Sequence, residues 1–320
     1  MSGLAERLSA TFGDRLRRHV PLAPMTTFKV GGPAEWYVET HNEAELTAAI
    51  TAAHHCRMDL TVLGGGSNVL IADRGIRGLV VRPKGGNVSA VGDRLVRADA
   101  AVTINGLVRW TINRGYAGLE AWAGTPGTVG GAIYGNAHWN RTNIGELVES
   151  VRLARRDGTL LQAPADRMEF EYDYSRLKRT GEIVLWAAFR VTPGGDPAAL
   201  REVARESLAF RKRTQPLESP SAGCIFMNPD AARDKVPAGI PPSAGALVDR
   251  AGLKGVALDG ARVSATHANF IINEGAASAA GIRQLIERCR AAVRDQFGVT
   301  LRNEIIYLGD FEDETPIAES

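Results

Sequence analysis

Two segments carry glycine in a pattern that chemistry can use: Leu63-Gly64-Gly65-Gly66-Ser67-Asn68-Val69 and Gly124-Thr125-Pro126-Gly127-Thr128-Val129-Gly130-Gly131-Ala132. Glycine lets the main chain take positive φ and lets its N–H groups approach an anion closely, while Ser67, Asn68, Thr125 and Thr128 can add side-chain hydrogen bonds. That combination suits the phosphates of a dinucleotide. One such run alone reads more simply as a tight turn, and the presence of two weakens that reading. Neither run is a Rossmann fingerprint, because Val69 stands where the third glycine of GxGxxG belongs, and no GxxxxGK[ST] occurs.

Other reactive side chains are sparse. Cys56, Cys224 and Cys289 are odd in number and far apart, so they form neither a disulfide framework nor a CxxC pair. Six histidines are scattered without HxxxH spacing, so no metal site is expected. His267, in His267-Ala268-Asn269-Phe270, reads as structural, and the tryptophans, Trp122 and Trp139 among them, read as packing residues.

The elements that must position these residues follow from periodicity and caps. Ala34 to Thr40 reads as a strand, followed by a helix from Asn42 with Glu45 completing a capping box. Leu60 to Leu63 is a strand running into the first glycine segment; Leu79 to Val81 and Leu95 to Ala98 are short strands. Thr103 caps a helix to Arg114 that stops at Gly115. Val148 to Arg155 and Thr159 to Gln162 form a hairpin around Asp157-Gly158, and Ile183 to Val191 is a further strand. Beyond the cluster Pro193-Gly194-Gly195-Asp196-Pro197, helices are expected to about Arg213, over Ser243 to Ala251, and near Ser278 to Phe297. The order is α+β rather than a doubly wound repeat. The acidic tail from Asp310 to Ser320 is nearly free of apolar residues and is expected to be disordered.

Bulk composition narrows the class. The chain has 320 residues, 44% of them hydrophobic, enough for two or three cores. Thirty-eight Lys and Arg against 36 Asp and Glu leave no basic field for a nucleic-acid backbone. Met1 to Val20 carries Glu6, Arg7, Asp14, Arg15, Arg17 and Arg18 without an apolar run, and no stretch of about 18 apolar residues occurs, so neither a signal peptide nor a membrane span is expected. A cytoplasmic location follows as the expectation.

Taken in order, the motifs resemble those of the UDP-N-acetylenolpyruvoylglucosamine reductase family. Met25 to Gly32 (MTTFKVGG) is similar to the family's opening motif, Leu63 to Ile71 (LGGGSNVLI) to its first flavin loop, and Ala123 to Ala137 (AGTPGTVGGAIYGNA) to its second. Further matches are Gln215-Pro216, Pro220 to Pro229 (PSAGCIFMNP), Ala251 to Gly255 (AGLKG), Val263-Ser264 with His267 to Phe270, and Leu301 to Ile305 (LRNEI). The resemblance covers about residues 20 to 309. It implies an FAD-binding fold of the vanillyl-alcohol-oxidase (PCMH) type in two subdomains, residues 1–82 and 83–195, and a C-terminal α+β substrate domain, 196–309, in the shorter subtype lacking an inserted loop. It implies FAD as cofactor and NADPH as reductant. The substrate it implies is UDP-N-acetylglucosamine enolpyruvate, giving UDP-N-acetylmuramate for peptidoglycan synthesis. The expected cofactor-binding residues are Leu63, Gly64, Gly65, Gly66, Ser67, Asn68 and Val69 with Gly124, Thr125, Pro126, Gly127, Thr128, Gly130, Gly131 and Ala132.

The resemblance also implies catalytic positions. Hydride addition to an enol ether conjugated to a carboxylate needs a proton donor and a stabiliser for the negative charge. The family's donor is a serine, and Cys224 stands in its place; a thiol with an ordinary pKa of about 8.5 is protonated at neutral pH and can donate. Glu304 matches the family's C-terminal glutamate. The family's arginine, in a motif like YRxS, falls on Asp173 of Tyr172-Asp173-Tyr174-Ser175. A carboxylate cannot pair with the substrate carboxylate, so Arg176 is the candidate substitute and Lys178 the other cation at hand. Met227 replaces a basic residue common before Asn-Pro, and Arg211, Lys212 or Arg213 are candidates to supply contacts to the diphosphate. With three departures, a non-catalytic or altered-specificity FAD-binding or nucleotide-sugar-binding homologue and a flavin oxidase of the same fold stay open as alternatives.

Overall fold

The computed structural model describes residues 8, 10–139 and 142–311. The described residues form two compact units: 8, 10–18, 36–65, 78–139 and 142–213 make the first, and 19–35, 66–77 and 214–311 the second. Of the acidic tail, residues 312–320 lie outside the described residues.

The early strands are β1 (Arg17–Pro21), β2 (Pro33–Thr40), β3 (Leu60–Val62), β4 (Val69–Ile71) and β5 (Ile76–Pro83). A four-stranded sheet has the order β1-β2-β5-β3, with β3 parallel to β5 in the register Leu60↔Leu79. Helix α1 (Glu43–His55) starts as its cap dictates: Asn42 Oδ1 accepts from the Glu45 N–H. The reciprocal bond of the expected capping box is displaced by one residue, because Glu45 Oε2 accepts from the His41 N–H and from Arg15. Leu46, Ala49, Ile50 and Ala53 form the buried stripe of α1, at the spacing a helix needs to face one core.

The second sheet has the order β11-β10-β12-β7-β6, from β6 (Val88–Val91), β7 (Leu95–Asp99), β10 (Val148–Ala154), β11 (Leu160–Pro164) and β12 (Ile183–Arg190). All its pairings are antiparallel, and the β10–β11 hairpin turns at Asp157-Gly158, where Gly158 takes φ +89°. Helix α2 (Ile104–Asn113), capped by the Thr103 hydroxyl, and the short α3 (Val129–Gly135) share its core with Val96, Val151, Ala187 and Phe189. A two-stranded ribbon, β8 (His138–Trp139) with β9 (Thr142–Asn143), follows α3, and α4 (Leu177–Thr180) precedes β12. Helix α5 (Pro197–Thr214) packs Leu200 and Ala204 on the same core. The change of unit therefore falls at Arg213/Thr214, beyond the Pro193–Pro197 cluster.

In the second unit, α6 (Ala244–Arg250) and α7 (Ala279–Phe297) cover a sheet of order β13-β14-β15, from β13 (Ala257–Leu258), β14 (Ala261–Val263) and β15 (Ile271–Asn273). Ile282, Leu285, Ile286, Cys289 and Val293 are the buried face of α7. The N-terminus of α7 is closed by Ser278 and by both carboxylate oxygens of Asp73, which accept from the N–H groups of Ala279 and Ala280. Strand β16 (Ile306–Leu308) lies parallel to β4 in the register Ile306↔Val69, which joins the last strand to the residues that follow the first glycine loop.

Candidate active site and cofactor cradle

In the first unit the two glycine-rich segments meet. A Cβ on Gly65 would lie 2.7 Å from Gly127 Cα, and one on Gly64 would lie 2.7 Å from Thr128 Oγ1, so the loops approach main chain to main chain. Thr128 caps α3 by accepting from the Gly131 N–H, and the Ile104 N–H donates to the Gly127 carbonyl, fixing the second loop from both sides. Gly124 and Gly127 hold φ +82° and +100°, which a larger residue would resist. Asn105 spans the loop, its Oδ1 accepting from the Gly124 N–H and its Nδ2 donating to the Thr125 carbonyl.

Beside this loop lies a buried guanidinium. Arg211, on α5, is 5% exposed, donates from Nη2 to Thr125 Oγ1 at 2.7 Å and rests on the Trp139 ring. Its Nε has no acceptor. A glycine cradle with an unsatisfied buried cation fits an anionic dinucleotide, so the chain's own residues fit FAD.

The rest of the first loop belongs to the second unit. Gly66 takes φ +64° and its carbonyl accepts from the Thr27 N–H; a Cβ there would lie 2.3 Å from the Met25 carbonyl oxygen. Asn68 Nδ2 donates to the Glu304 carbonyl, and the Ile306 N–H donates to the Asn68 carbonyl.

Cys224 and Glu304 come together in this unit on adjoining extended segments. The Glu304 N–H donates to the Ile225 carbonyl at 2.8 Å, Phe226 bridges Asn303, and the Met227 N–H donates to the Arg302 carbonyl. On the other side Cys224 bridges Phe270, and Asn269 clamps Phe226, accepting its N–H on Oδ1 at 2.9 Å and donating from Nδ2 to its carbonyl at 2.8 Å. Burial pushes the Cys224 thiol well above the usual thiol range, and the Glu304 carboxylate pushes it further; a hydrogen bond with Asn269 opposes both. Arg290, from α7, supports the 301–304 segment by donating to the Leu301 carbonyl and to Asn303 Oδ1.

The segment expected to carry the cation sits in the first unit. Asp173 is buried at φ +52° and holds Lys178 Nζ at 3.0 Å. The Arg176 guanidinium is engaged locally, with Nη2 2.9 Å from Glu182 Oε2 and Nη1 donating to the Arg167 carbonyl. His267 is structural in its contacts: Nδ1 accepts from the Asn269 N–H, and the ring packs edge-on against Phe270. Asn269 and Trp139 escaped sequence reasoning as site residues. An asparagine beside a motif histidine and a tryptophan in a strand carry no local signal of the clamp or the stacking plate they form.

The chain is similar to known proteins over nearly its whole length. Residues 34–163 match the model of an FAD binding domain, and residues 215–308 match the C-terminal domain of UDP-N-acetylenolpyruvoylglucosamine reductase. The reductase of that name from Heliobacterium modesticaldum is 35% identical over 95% of this chain and 94% of its own length, and that from Gloeobacter violaceus is 37% identical over 92% and 97%. The crystal structure of UDP-N-acetylenolpyruvylglucosamine reductase from Thermus caldophilus superposes with a TM-score of 0.76 at 30% identity, covering 92% of this chain and 99% of that one.

Proposed function

Because the chain belongs to the UDP-N-acetylenolpyruvoylglucosamine reductase family, we propose that Cys224 and Glu304 are its working pair in that reduction. The protein is an FAD-dependent oxidoreductase acting on UDP-N-acetylenolpyruvoylglucosamine in peptidoglycan precursor synthesis. In the proposal NADPH is the reductant, UDP-N-acetylmuramate the product and the cytoplasm the place of work. Residues 1–82 and 83–195 hold the cofactor and 196–309 the substrate.

When bound, FAD supplies two-electron transfer between NADPH and the enolpyruvyl double bond. The chain's own residues do the rest. Reduction adds one hydrogen to each carbon of the double bond, and the carbon next to the carboxylate needs its hydrogen as a proton. Cys224 Sγ gives that proton: a thiol held well above its usual pKa is protonated at neutral pH. Glu304, one residue across from it on the neighbouring segment, steadies the charge that develops on the substrate's carboxylate side. Asn269 and Arg290 hold the two segments in register from either flank. For the cation, Arg176 is the proposed residue, and its release from Glu182 is part of the proposal; Lys178, seated on Asp173, is its rival.

The pairing of Cys224 with Glu304 carries this reading, and turnover tests it. The FAD-loaded protein is mixed with NADPH and UDP-N-acetylenolpyruvoylglucosamine. Substrate-dependent NADPH oxidation yielding UDP-N-acetylmuramate is expected. Bound flavin without turnover would identify a non-catalytic homologue, and NADPH-indifferent oxygen consumption an oxidase.

A further inference from the structure

We propose that Arg211 holds FAD, by supplying the counter-charge to an anionic oxygen of the cofactor at the second glycine-rich loop. The proposal rests on the reading of that loop as a cofactor cradle. Arg211 has no carboxylate partner among the described residues, and burial pushes its guanidinium down to about 10, which still leaves it charged at neutral pH. A buried charge without a partner is costly to the folded chain unless a ligand completes it.

The surroundings are built to keep the cation in place. Its Nη2 is spent on Thr125 Oγ1, its face is covered by Trp139 at 3.4 Å from the ring centroid, and its Nε is left without an acceptor. Trp139 is fixed in turn, since its indole N–H donates to Ser207 Oγ and the Ser207 hydroxyl donates to the Ala121 carbonyl. Gly124 makes room, because a Cβ there would stand 3.1 Å from Arg211 Cδ and 2.9 Å from Leu208 Cδ1. Burial and the Arg211 charge both push the adjacent His138 imidazole below its ordinary pKa, and among the described residues no carboxylate pairs with Arg211. Thr125 and Gly124 belong to the loop that lies against Gly64 and Gly65, which assigns the missing anion to FAD rather than to NADPH or the UDP-sugar, although all three carry a diphosphate.

The test uses the holoenzyme of the wild type, Arg211→Met and Arg211→Lys. FAD release on dilution is followed by its fluorescence, with melting temperature recorded with and without added FAD. Arg211→Met is expected to release FAD at least tenfold more readily and to show weaker dependence of that release on salt, with Arg211→Lys in between. Stripped of FAD, Arg211→Met should melt at or above the wild type, because the unpaired charge is gone, while its gain on adding FAD shrinks. Unchanged FAD retention in Arg211→Met overturns the proposal: a raised KM for NADPH or for the UDP-sugar then gives the anion to that molecule, and no change in either leaves Arg211 purely structural. A wild type that retains no FAD overturns the cradle reading itself, and is distinguished from the other failures by the wild-type measurement alone.

Discussion

Lys178 Nζ lies 3.0 Å from Asp173 Oδ2, and the carboxylate it touches is 5% exposed, at the one position of its segment where the family resemblance calls for an arginine. The turn around Asp173 is closed by reciprocal main-chain bonds between Glu171 and Tyr174, and it is tied to the end of α3 by Ser175 Oγ donating to the Tyr134 carbonyl and Asn136 Nδ2 donating to the Glu171 carbonyl. A side chain at φ +52° is tolerated best as Asn, Asp or Gly. Lys178→Met takes the ammonium away from a buried carboxylate and is expected to cost about 2–3 kcal/mol. Asp173→Asn keeps the backbone conformation and leaves only a partly exposed ammonium, so it should cost about 1 kcal/mol. Urea denaturation of both variants decides the matter, and equal losses would show that the pair does not carry the segment.

Arg176 and Lys178 make separable predictions for turnover. Arg176→Ala removes a guanidinium that bridges Glu182 and the Arg167 carbonyl, whereas Lys178→Ala removes the ammonium on Asp173. If Arg176 supplies the substrate-facing cation, its loss should raise KM for the UDP-sugar about tenfold or more with FAD reduction by NADPH intact. The same signature in Lys178→Ala, with Arg176→Ala nearly silent, transfers the role to Lys178.

Cys224 should reveal itself in half-reactions and in pH dependence. Cys224→Ala is expected to slow the substrate-dependent step about 10²–10⁴-fold while leaving reduction by NADPH close to wild type. Burial and Glu304 raise the thiol pKa, so the proposed donor stays protonated through neutral pH and is lost only as pH climbs past its raised value. The wild-type step should therefore hold level well into the alkaline range and then fall, and Cys224→Ser should abolish that fall without abolishing turnover. A fall beginning near pH 8 in wild type would contradict the shielding of the thiol.

The glycine loops allow a test that separates packing from ligand approach. A Cβ at Gly65 meets the Gly127 main chain at 2.7 Å and cannot be relieved by a rotamer, so Gly65→Ala should lose both stability and FAD. A Cβ at Gly131 would meet Thr128 Oγ1 at 3.6 Å, an ordinary contact, and alanine is the better helix former by about 1 kcal/mol. If Gly131 belongs to the proposed cradle, Gly131→Ala should leave the FAD-free protein as stable or more so, yet weaken FAD binding. Equal FAD affinity in Gly131→Ala and wild type would remove Gly131 from the cradle.

Local patterns made much of the fold legible. Asn42, Thr103 and Ser243 each accept the N–H three residues on, as their place before an apolar periodic run suggests, and the hairpin at Asp157-Gly158 turns where a left-handed glycine is needed. What stayed hidden depends on partners distant in sequence. Strand β4 is three residues long and exists because β16, more than 230 residues later, pairs with it in parallel; no local periodicity can announce that. The same holds at the site. Motif positions single out Cys224 and Glu304 as candidates, but the Asn269 clamp on the nearby Phe226 spans 43 residues, and Arg211 reads locally as one more basic residue in an Arg-Lys-Arg run until its burial against Thr125 is seen.

Alkaline stability supplies a prediction that does not involve the reaction. Cys289 is 1% exposed on the inner face of α7, and burial pushes its thiol up to about 12, with only partial opposition from Arg288. The folded chain thus keeps this proton where an unfolded chain, with a thiol pKa of about 8.5, has lost it. Below that value the contribution to stability is complete, and between about pH 9 and 12 it drains away as the unfolded state is deprotonated and the folded state is not. Tyr37, pushed up to about 12 by burial and by Glu39, adds a parallel loss that starts above the ordinary tyrosine value of about 10. Cys289→Val, close in volume, should cost about 1 kcal/mol at pH 7.5 and lose less than wild type between pH 8 and 10, before Tyr37 contributes. Urea midpoints for the two proteins at those pH values provide the comparison. Parallel losses would mean that the thiol is reached by solvent in the native state, and rapid modification of Cys289 by a thiol reagent without denaturant would then accompany them.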